Sequence, residues 1–510
     1  MLKHSFVLDA LDTTGADTFS HFEMLIDEHR SLEESEDPQP PSRLRQLVPT
    51  VGNFFTRLPL RRAFLAYNAK YRVTKRRHVC ISFNEIRHIL NLAQIMALSG
   101  EANREELALG RWEASPLVLS TSPLEIPPEL SLSLDQTIAE EADEDSDKHL
   151  ATVSFAENHL SIDKNPEELL GQLKSPSMIT FDGDQTLYSD GANFESNPLL
   201  ANYLYLLLCH GVNIAVVTAA GYEYKAEKYE FRLSGLLSYF KERKLHSEHC
   251  ERFYLFGGEC NYLLRLGSDY KLHPVKEYGP GGWKTATLHM SETPGNWDEA
   301  STQSLLDKAE ASMQTSMNEQ NLRARIIRKK RGVGLIPKPN EQISREALDE
   351  AVLRVQSELV QDCVELPFCA FNGGRDAWVD VGNKRVGVQV LQSYLGVVAA
   401  EMLHIGDQFL NTGNDYAARG VCPCVWITDP EETTYILKLI LRLANVSLEG
   451  TDDSPRLDSP RNDERDISGK PVNYEEATRR TEMVQLMDVF TGEMISAPPA
   501  IAAPHKSTKK

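Results

Sequence analysis

Long apolar runs are missing from this chain. Across its 510 residues none reaches the roughly 20 needed to cross a bilayer, which argues against a helical membrane protein. Met1 to Ser5 does not lead into the apolar core of a signal peptide. Cysteine is sparse too: eight residues scattered from Cys80 to Cys424, several inside apolar patterns, point to reduced thiols in a cytoplasmic protein. Cys422-Pro423-Cys424 is too tight, and too poor in partner ligands, to form a zinc site. Positive charge is in deficit, 54 Lys and Arg against 74 Asp and Glu, for a formal net charge of −20. Aromatic residues make up 8% and do not alternate with basic ones, so nucleic acid is not an expected partner. No internal repeat is evident.

What is present is enough for globular cores, with 41% apolar residues in a chain too long for a single core. Two or three domains are expected, arranged as an α/β protein. The most informative stretch runs from Met178 to Tyr188, where an apolar strand ends in Asp182-Gly183-Asp184-Gln185-Thr186. Parallel strands of α/β proteins read as apolar runs, and active sites open at their C-terminal ends. Two carboxylates two residues apart form an acidic mouth suited to a hard cation, and aspartate is an established phosphoryl acceptor. A solvated turn is the plainer alternative, since Asp and Gly are common turn formers.

Three further strand or helix ends carry complementary groups. Ile214 to Val217 delivers the hydroxyl of Thr218, after a helical pattern through Leu199, Leu200, Tyr203, Leu204 and Leu207 that closes at His210-Gly211. Asn383-Lys384 supplies a cation before another helical pattern, and Met402 to Gly406 ends on Asp407, followed by Gln408 to Asp415. Taken singly, Thr218 reads as an ordinary strand hydroxyl, Lys384 as a surface lysine and Asp407 as a helix cap. Four such groups in this order are hard to ascribe to coincidence.

The order Asp-x-Asp-x-Thr, Thr, Lys, Gly-Asp…Asp resembles the haloacid dehalogenase (HAD) superfamily of phosphotransferases. Within it, Phe181 to Gly191 and Gly406 to Phe409 resemble the IMP-specific 5′-nucleotidases, over roughly residues 45 to 445. Gln185 stands where the superfamily usually has glycine. The resemblance implies a HAD-like Rossmannoid core with a parallel sheet, an inserted α/β cap and an N-terminal helical domain. It implies Asp182 as nucleophile and Asp184 as general acid and base, the same division of labour that two carboxylates in different environments permit. Mg²⁺ would be held by Asp182, Asp407 and the main chain of Asp184; substrate would be bound by Asp184, Asp190, Thr218, Asp376 and Lys384. Asp415 would orient Lys384 or belong to a nucleotide contact.

The basic cluster Arg57, Arg61, Arg62, Lys70, Arg72, Lys75, Arg76 and Arg77 stands out against the acidic whole. It is either a solvated or interface surface or the site of an anionic effector; ATP as allosteric activator is what the family implies, with Lys75, Arg76, Arg77 and Asp415 as candidate contacts. The expected domains are a flexible N-terminus (1–19), a helical regulatory or oligomerisation domain (20–115) and an acidic disordered linker (116–165). The catalytic core follows (166–222 and 368–446), interrupted by a cap (223–367), with a largely disordered tail (447–510). In that cap, Arg328-Lys329-Lys330-Arg331 reads as a solvated helix end. Family analogy also implies a homotetramer. The expected activity is hydrolysis of IMP to inosine and phosphate, with a sugar phosphate or another nucleotide as alternative substrate. An alternative of another class is a nucleotide-sensing regulatory protein led by its N-terminal domain.

Overall fold

The structure is a computed structural model that describes residues 15–35, 40–49, 51–76, 81–99, 176–195, 197–362, 365–444, 446 and 448. A two-stranded antiparallel pair, Leu486–Met487 with Met494–Ile495, is described further on. The acidic linker and the rest of the tail lie outside the described residues, as does Arg77.

Met178–Phe181 (β1) is buried at every position and sits centrally in a seven-stranded sheet. Asn213–Val217 (β2), Phe253–Gly257 (β3), Tyr262–Leu266 (β4) and Leu272–Pro274 (β5) continue the sheet on one side. Met402–Gly406 (β10) and Cys424–Trp426 (β11) complete it on the other, giving the order β11-β10-β1-β2-β3-β4-β5. The five strands from β11 to β3 are parallel, while β4 and β5 run antiparallel. Register places Phe181 beside Ile405 on β10 and Val216 on β2. Asp182, Thr218 and Asp407 therefore leave the sheet side by side, as the expected HAD-like core requires.

The four strands Ala324–Arg328 (β6), Gly332–Pro337 (β7), Phe368–Asn372 (β8) and Ala377–Val381 (β9) form a separate antiparallel sheet, ordered β6-β7-β9-β8. Two helices, Glu299–Glu319 and Arg345–Gln361, bury Leu305, Met313, Leu348 and Val352 against it in a hydrophobic cluster of its own. This is the cap, but its limits differ from 223–367. β3, β4 and β5 extend the core sheet, and β8 and β9 belong to the cap sheet. Gly257-Gly258 marks a hairpin between paired core strands rather than a break in a cap segment. The chain returns to the core only at Gly382.

In the N-terminal region, helices span Gly15–Glu33, Arg43–Leu47, Leu60–Tyr71 and Phe83–Leu98. The last begins with the anticipated capping box: Ser82 Oγ accepts from Glu85 N–H, and Glu85 accepts from Ser82 N–H. Ile89 and Ala93 on this helix are buried, whereas Phe83, Ile86 and Leu90 are exposed. The region does not keep a core apart: Ile89 and Leu92 share one hydrophobic cluster with Ile436 and Leu439 of the Pro430–Leu443 helix.

Candidate active site

The loop after β1 is shaped by two close approaches. A Cβ on Gly183 would lie 2.5 Å from the Tyr188 hydroxyl and 3.4 Å from Thr218 Oγ1, so only glycine leaves this floor open. Gln185, where glycine is usual, has φ +58°, the left-handed conformation that glycine adopts at no steric cost. Glutamine therefore carries the strain of a left-handed turn at this position.

Asp182 is buried and its Oδ1 accepts from Gly183 N–H at 2.7 Å and from Lys384 at 2.8 Å. Lys384 opens the Lys384–Leu395 helix, whose N-cap Asn383 accepts from Val386 N–H at 3.0 Å. A cation in the first turn opposes the helix dipole. Here it is compensated by carboxylates: Lys384 Nζ also lies 2.5 Å from Asp415 Oδ1 and 3.1 Å from Asn414 Oδ1, with no exposed surface. Asp415 is further bound by His404 Nε2 at 2.9 Å and Gln408 N–H at 2.9 Å. His404 Nδ1 meets Thr180 Oγ1 at 2.8 Å, so the polar chain runs back into β1. A Cβ at Gly406 would lie 2.4 Å from the Asp415 carboxylate, which explains the glycine before Asp407.

Charge and burial divide these acids. Burial raises Asp182 to about 7, against the opposing pull of Lys384. Asp407 rises to about 9, through burial first and then the like charges of Asp182 and Asp415. Burial pushes Asp415 up as well, but Lys384 and His404 outweigh it and hold the acid well below the carboxylate range. Burial disfavours the Lys384 ammonium, yet its carboxylate neighbours keep it charged. Glu259, wholly buried and raised to about 8 by burial, accepts from Asn414 Nδ2 at 3.0 Å.

Carboxylate oxygens of Asp182, Asp407 and Asp415 lie within 4.8 Å of one another. Fully ionised, the three carboxylates against one ammonium would carry two net negative charges, so a divalent ion would take the place of the protons that burial favours on Asp182 and Asp407. Asp415 already accepts from three donors, whereas among the described residues buried Asp407 Oδ1 has no hydrogen-bond partner. Asp182 and Asp407 are therefore the free ligands, and an all-oxygen set suits a hard cation such as Mg²⁺.

Above this centre opens a cavity of about 1040 Å³ lined from both domains. Asp182, Asp184, Asp190, Thr218 and Asp407 line it from the core, and Asp376, Trp378 and Lys329 from the cap. Asp184 Oδ1 accepts from Arg232 at 2.6 Å and from Gly191 N–H at 3.0 Å. Thr218 Oγ1 accepts from Ala220 N–H at 3.1 Å. Asp376 is raised by burial and, in smaller part, by Asp190 across the cavity.

The residues expected at the site thus converge, apart from the effector group. Asp415, grouped above with Lys75 and Arg76, belongs instead to the Lys384 cluster and has no exposed surface. Arg76 pairs with Glu85 at 2.6 Å. The run Arg328 to Arg331 is no helix end: it forms the β6–β7 turn, because Ala324–Arg328 pairs as a strand. Its Arg328 is held by Asp307 and Glu310, while Lys329 reaches the cavity, 3.7 Å over the Trp378 ring. Arg232, Glu259, Asn414 and Trp426 carry no sequence signal for a site. His404, a polar residue inside the apolar run Met402–Gly406, is the one with a signal in the sequence.

The profile of the IMP-specific 5′-nucleotidase family matches residues 7–112 and 130–437. IMP-specific 5′-nucleotidase 1 of Plasmodium falciparum is 35% identical over 413 residues, covering 79% of this chain and 74% of that protein. Its counterpart in Yarrowia lipolytica is 35% identical over 429 residues, 83% of each chain. The IMP-bound Plasmodium falciparum IMP-nucleotidase superposes with a TM-score of 0.64 at 33% identity, covering 86% of this chain and 91% of that one. The ATP-bound form of that enzyme gives a TM-score of 0.61 at 32% identity, over 88% and 83%. The chain belongs to the IMP-specific 5′-nucleotidase family.

Proposed function

We propose that this protein is a Mg²⁺-dependent phosphatase that hydrolyses IMP to inosine and phosphate through an aspartyl-phosphate on Asp182. The observation that carries the reading is the buried Asp182 carboxylate, gripped at Oδ1 by Lys384 and Gly183 N–H beside the unpartnered Oδ1 of Asp407. Both contacts fall on Oδ1, so among the described residues Asp182 Oδ2 is left free, and it is the attacking atom. Its attack on phosphorus breaks the bond to the ribose 5′ oxygen, which takes a proton from Asp184 as inosine leaves. Asp184 then accepts a proton from the water that attacks the phosphorus of the aspartyl-phosphate, breaking its bond to Asp182, releasing phosphate and restoring both acids. Arg232 and Gly191 N–H hold one Asp184 oxygen, leaving the other for the proton.

Asp182 and Asp407, with the Asp184 carbonyl, would hold Mg²⁺, which offsets the repulsion between a dianionic phosphate and an anionic nucleophile. Thr218, whose side chain lines the cavity, is the group for the phosphoryl oxygens, while Lys384, buried with its three donors on Asp182, Asp415 and Asn414, lends positive charge from behind the nucleophile. Asp190 and Asp376, facing the cavity from core and cap, are acceptors for donor groups of the nucleoside. That relatives matched over most of both chains are IMP-specific 5′-nucleotidases supports the substrate.

ATP acts as an activator in this reading, supported by the ATP-bound relative and the cationic stretch around Lys75 and Arg76. Phe22, Met24, Leu47 and Leu65, exposed on the N-terminal helices, support a homo-oligomer, a tetramer by analogy. The six described cysteines are all free, which supports a cytoplasmic enzyme. Among the described residues no helix is long and apolar enough to cross a membrane. The test is phosphate release from IMP, AMP, GMP and several sugar phosphates, with and without Mg²⁺. A cation-dependent preference for IMP is expected; equal rates across the panel would discard the specificity.

A further inference from the structure

β11 is the outermost strand on the Asp407 side of the sheet, so its outward backbone groups lack a strand partner. At Trp426 that place is taken by side chains of the Phe83–Leu98 helix. Asn91 Oδ1 accepts from Trp426 N–H at 3.1 Å, and Asn91 Nδ2 donates to the Trp426 carbonyl at 2.6 Å. Arg87 donates to the same carbonyl at 2.6 Å. Arg87 is itself fixed by a two-pronged pair with Glu432, both contacts at 2.8 Å and both side chains buried. Glu432 Oε2 also accepts from Thr428 N–H at 2.8 Å, closing the bracket around Trp426.

From this bracket the indole points at the metal edge. Trp426 Nε1–H donates to the Asp407 carbonyl at 2.8 Å. The other end of the same peptide unit, Gln408 N–H, donates to Asp415 Oδ2 at 2.9 Å. The Asp407–Gln408 peptide is thereby held at both ends, while among the described residues Asp407 Oδ1 has no partner to orient it. The anchored part of Asp407 is thus its main chain. The indole ring is seated edge-on to Phe83, with centroids 5.7 Å apart, and tilted against Phe409 at 6.3 Å.

We propose that Trp426 is a positioning residue for the Asp407 carboxylate, and that the N-terminal Phe83–Leu98 helix, through Asn91 and Arg87, holds Trp426 in place. The N-terminal domain then enters the metal centre directly, as part of its support. Groups that orient a metal ligand typically govern affinity by 10- to 100-fold, so the bond from Trp426 is of the right kind to matter.

The inference rests on Asp407 being a metal ligand, so Asp407→Asn is measured beside the other variants. The experiment is isothermal titration of the full chain with Mg²⁺ alone, paired with thermal melts in chelator. Trp426→Phe keeps an aromatic ring against Phe83 but removes the indole donor. It is expected to raise the Mg²⁺ Kd by about 10-fold or more while the chelator melt stays near wild type. Asn91→Ala is expected to move the Kd in the same direction by a smaller factor, and decides the matter should Trp426→Phe fail to fold. Loss of Mg²⁺ binding in Asp407→Asn with wild-type affinity in Trp426→Phe and Asn91→Ala overturns the positioning role and leaves the ligand standing. Wild-type affinity in Asp407→Asn overturns the ligand assignment, and this inference with it.

Discussion

At the scale of single residues, the site is a set of carboxylates kept apart by their neighbours. Asp415 receives Lys384, His404 and a backbone N–H and stays ionised; Asp182 and Asp407 receive less and are raised to about 7 and about 9. Replacing Asp182 with Asn keeps the shape and removes the nucleophile, so turnover of IMP should fall by more than about 10³-fold while the melt is preserved. Appreciable phosphate release by that variant would remove the covalent step. The raised acids also set a pH dependence. Between the unfolded value near 4 and the folded values, the native state without cation binds more protons than the unfolded chain, so its stability falls as pH rises from about 5 to 9. A divalent ion replaces those protons, so Mg²⁺ should raise the melting temperature more at pH 9 than at pH 6. An equal gain at both would mean that Asp182 and Asp407 are not the ligands.

At the scale of elements, legibility followed from how local each feature is. β1 with its Asp182-Gly183-Asp184 loop, Thr218 after β2 and Gly406-Asp407 after β10 are contiguous patterns of apolar strand and polar end, and all three were readable. The capping box at Ser82 and Glu85 was readable for the same reason. The cap limits were not, because sheet membership is decided by pairing partners far along the chain. Tyr254 to Arg265 reads alike whether it joins a core or a cap sheet, and only its register with β2 decides. The basic run at Arg328 was misplaced because charge suggests a helix end, whereas Ala324–Arg328 pairs with β7. That turn carries Lys329 to the cavity, so Lys329→Met should raise KM for IMP by about 10-fold with kcat within about two-fold. Steady-state kinetics check this, and an unchanged KM would place Lys329 outside the substrate's reach.

For the whole molecule, the N-terminal helices are neither a tethered module nor a separate core. Their apolar cluster is continuous with the catalytic domain, and Phe83, Asn84 and Arg87 line the same cavity as Asp182. A ligand at the cationic stretch thus has a short physical route to the site: Arg76 pairs with Glu85, at the head of the helix that brackets Trp426. Replacing Lys75, Arg76 and Arg77 with glutamine should abolish activation by ATP and spare basal hydrolysis; activation that persists would put the effector elsewhere. None of these long-range contacts is visible in sequence, since Arg87 and Glu432 lie 345 positions apart. The central claim, transfer through Asp182, is tested most directly by the stereochemistry at phosphorus, using IMP whose phosphate is made chiral with oxygen isotopes and sulfur. Two successive in-line displacements predict net retention of configuration; inversion would show direct attack by water and contradict the account.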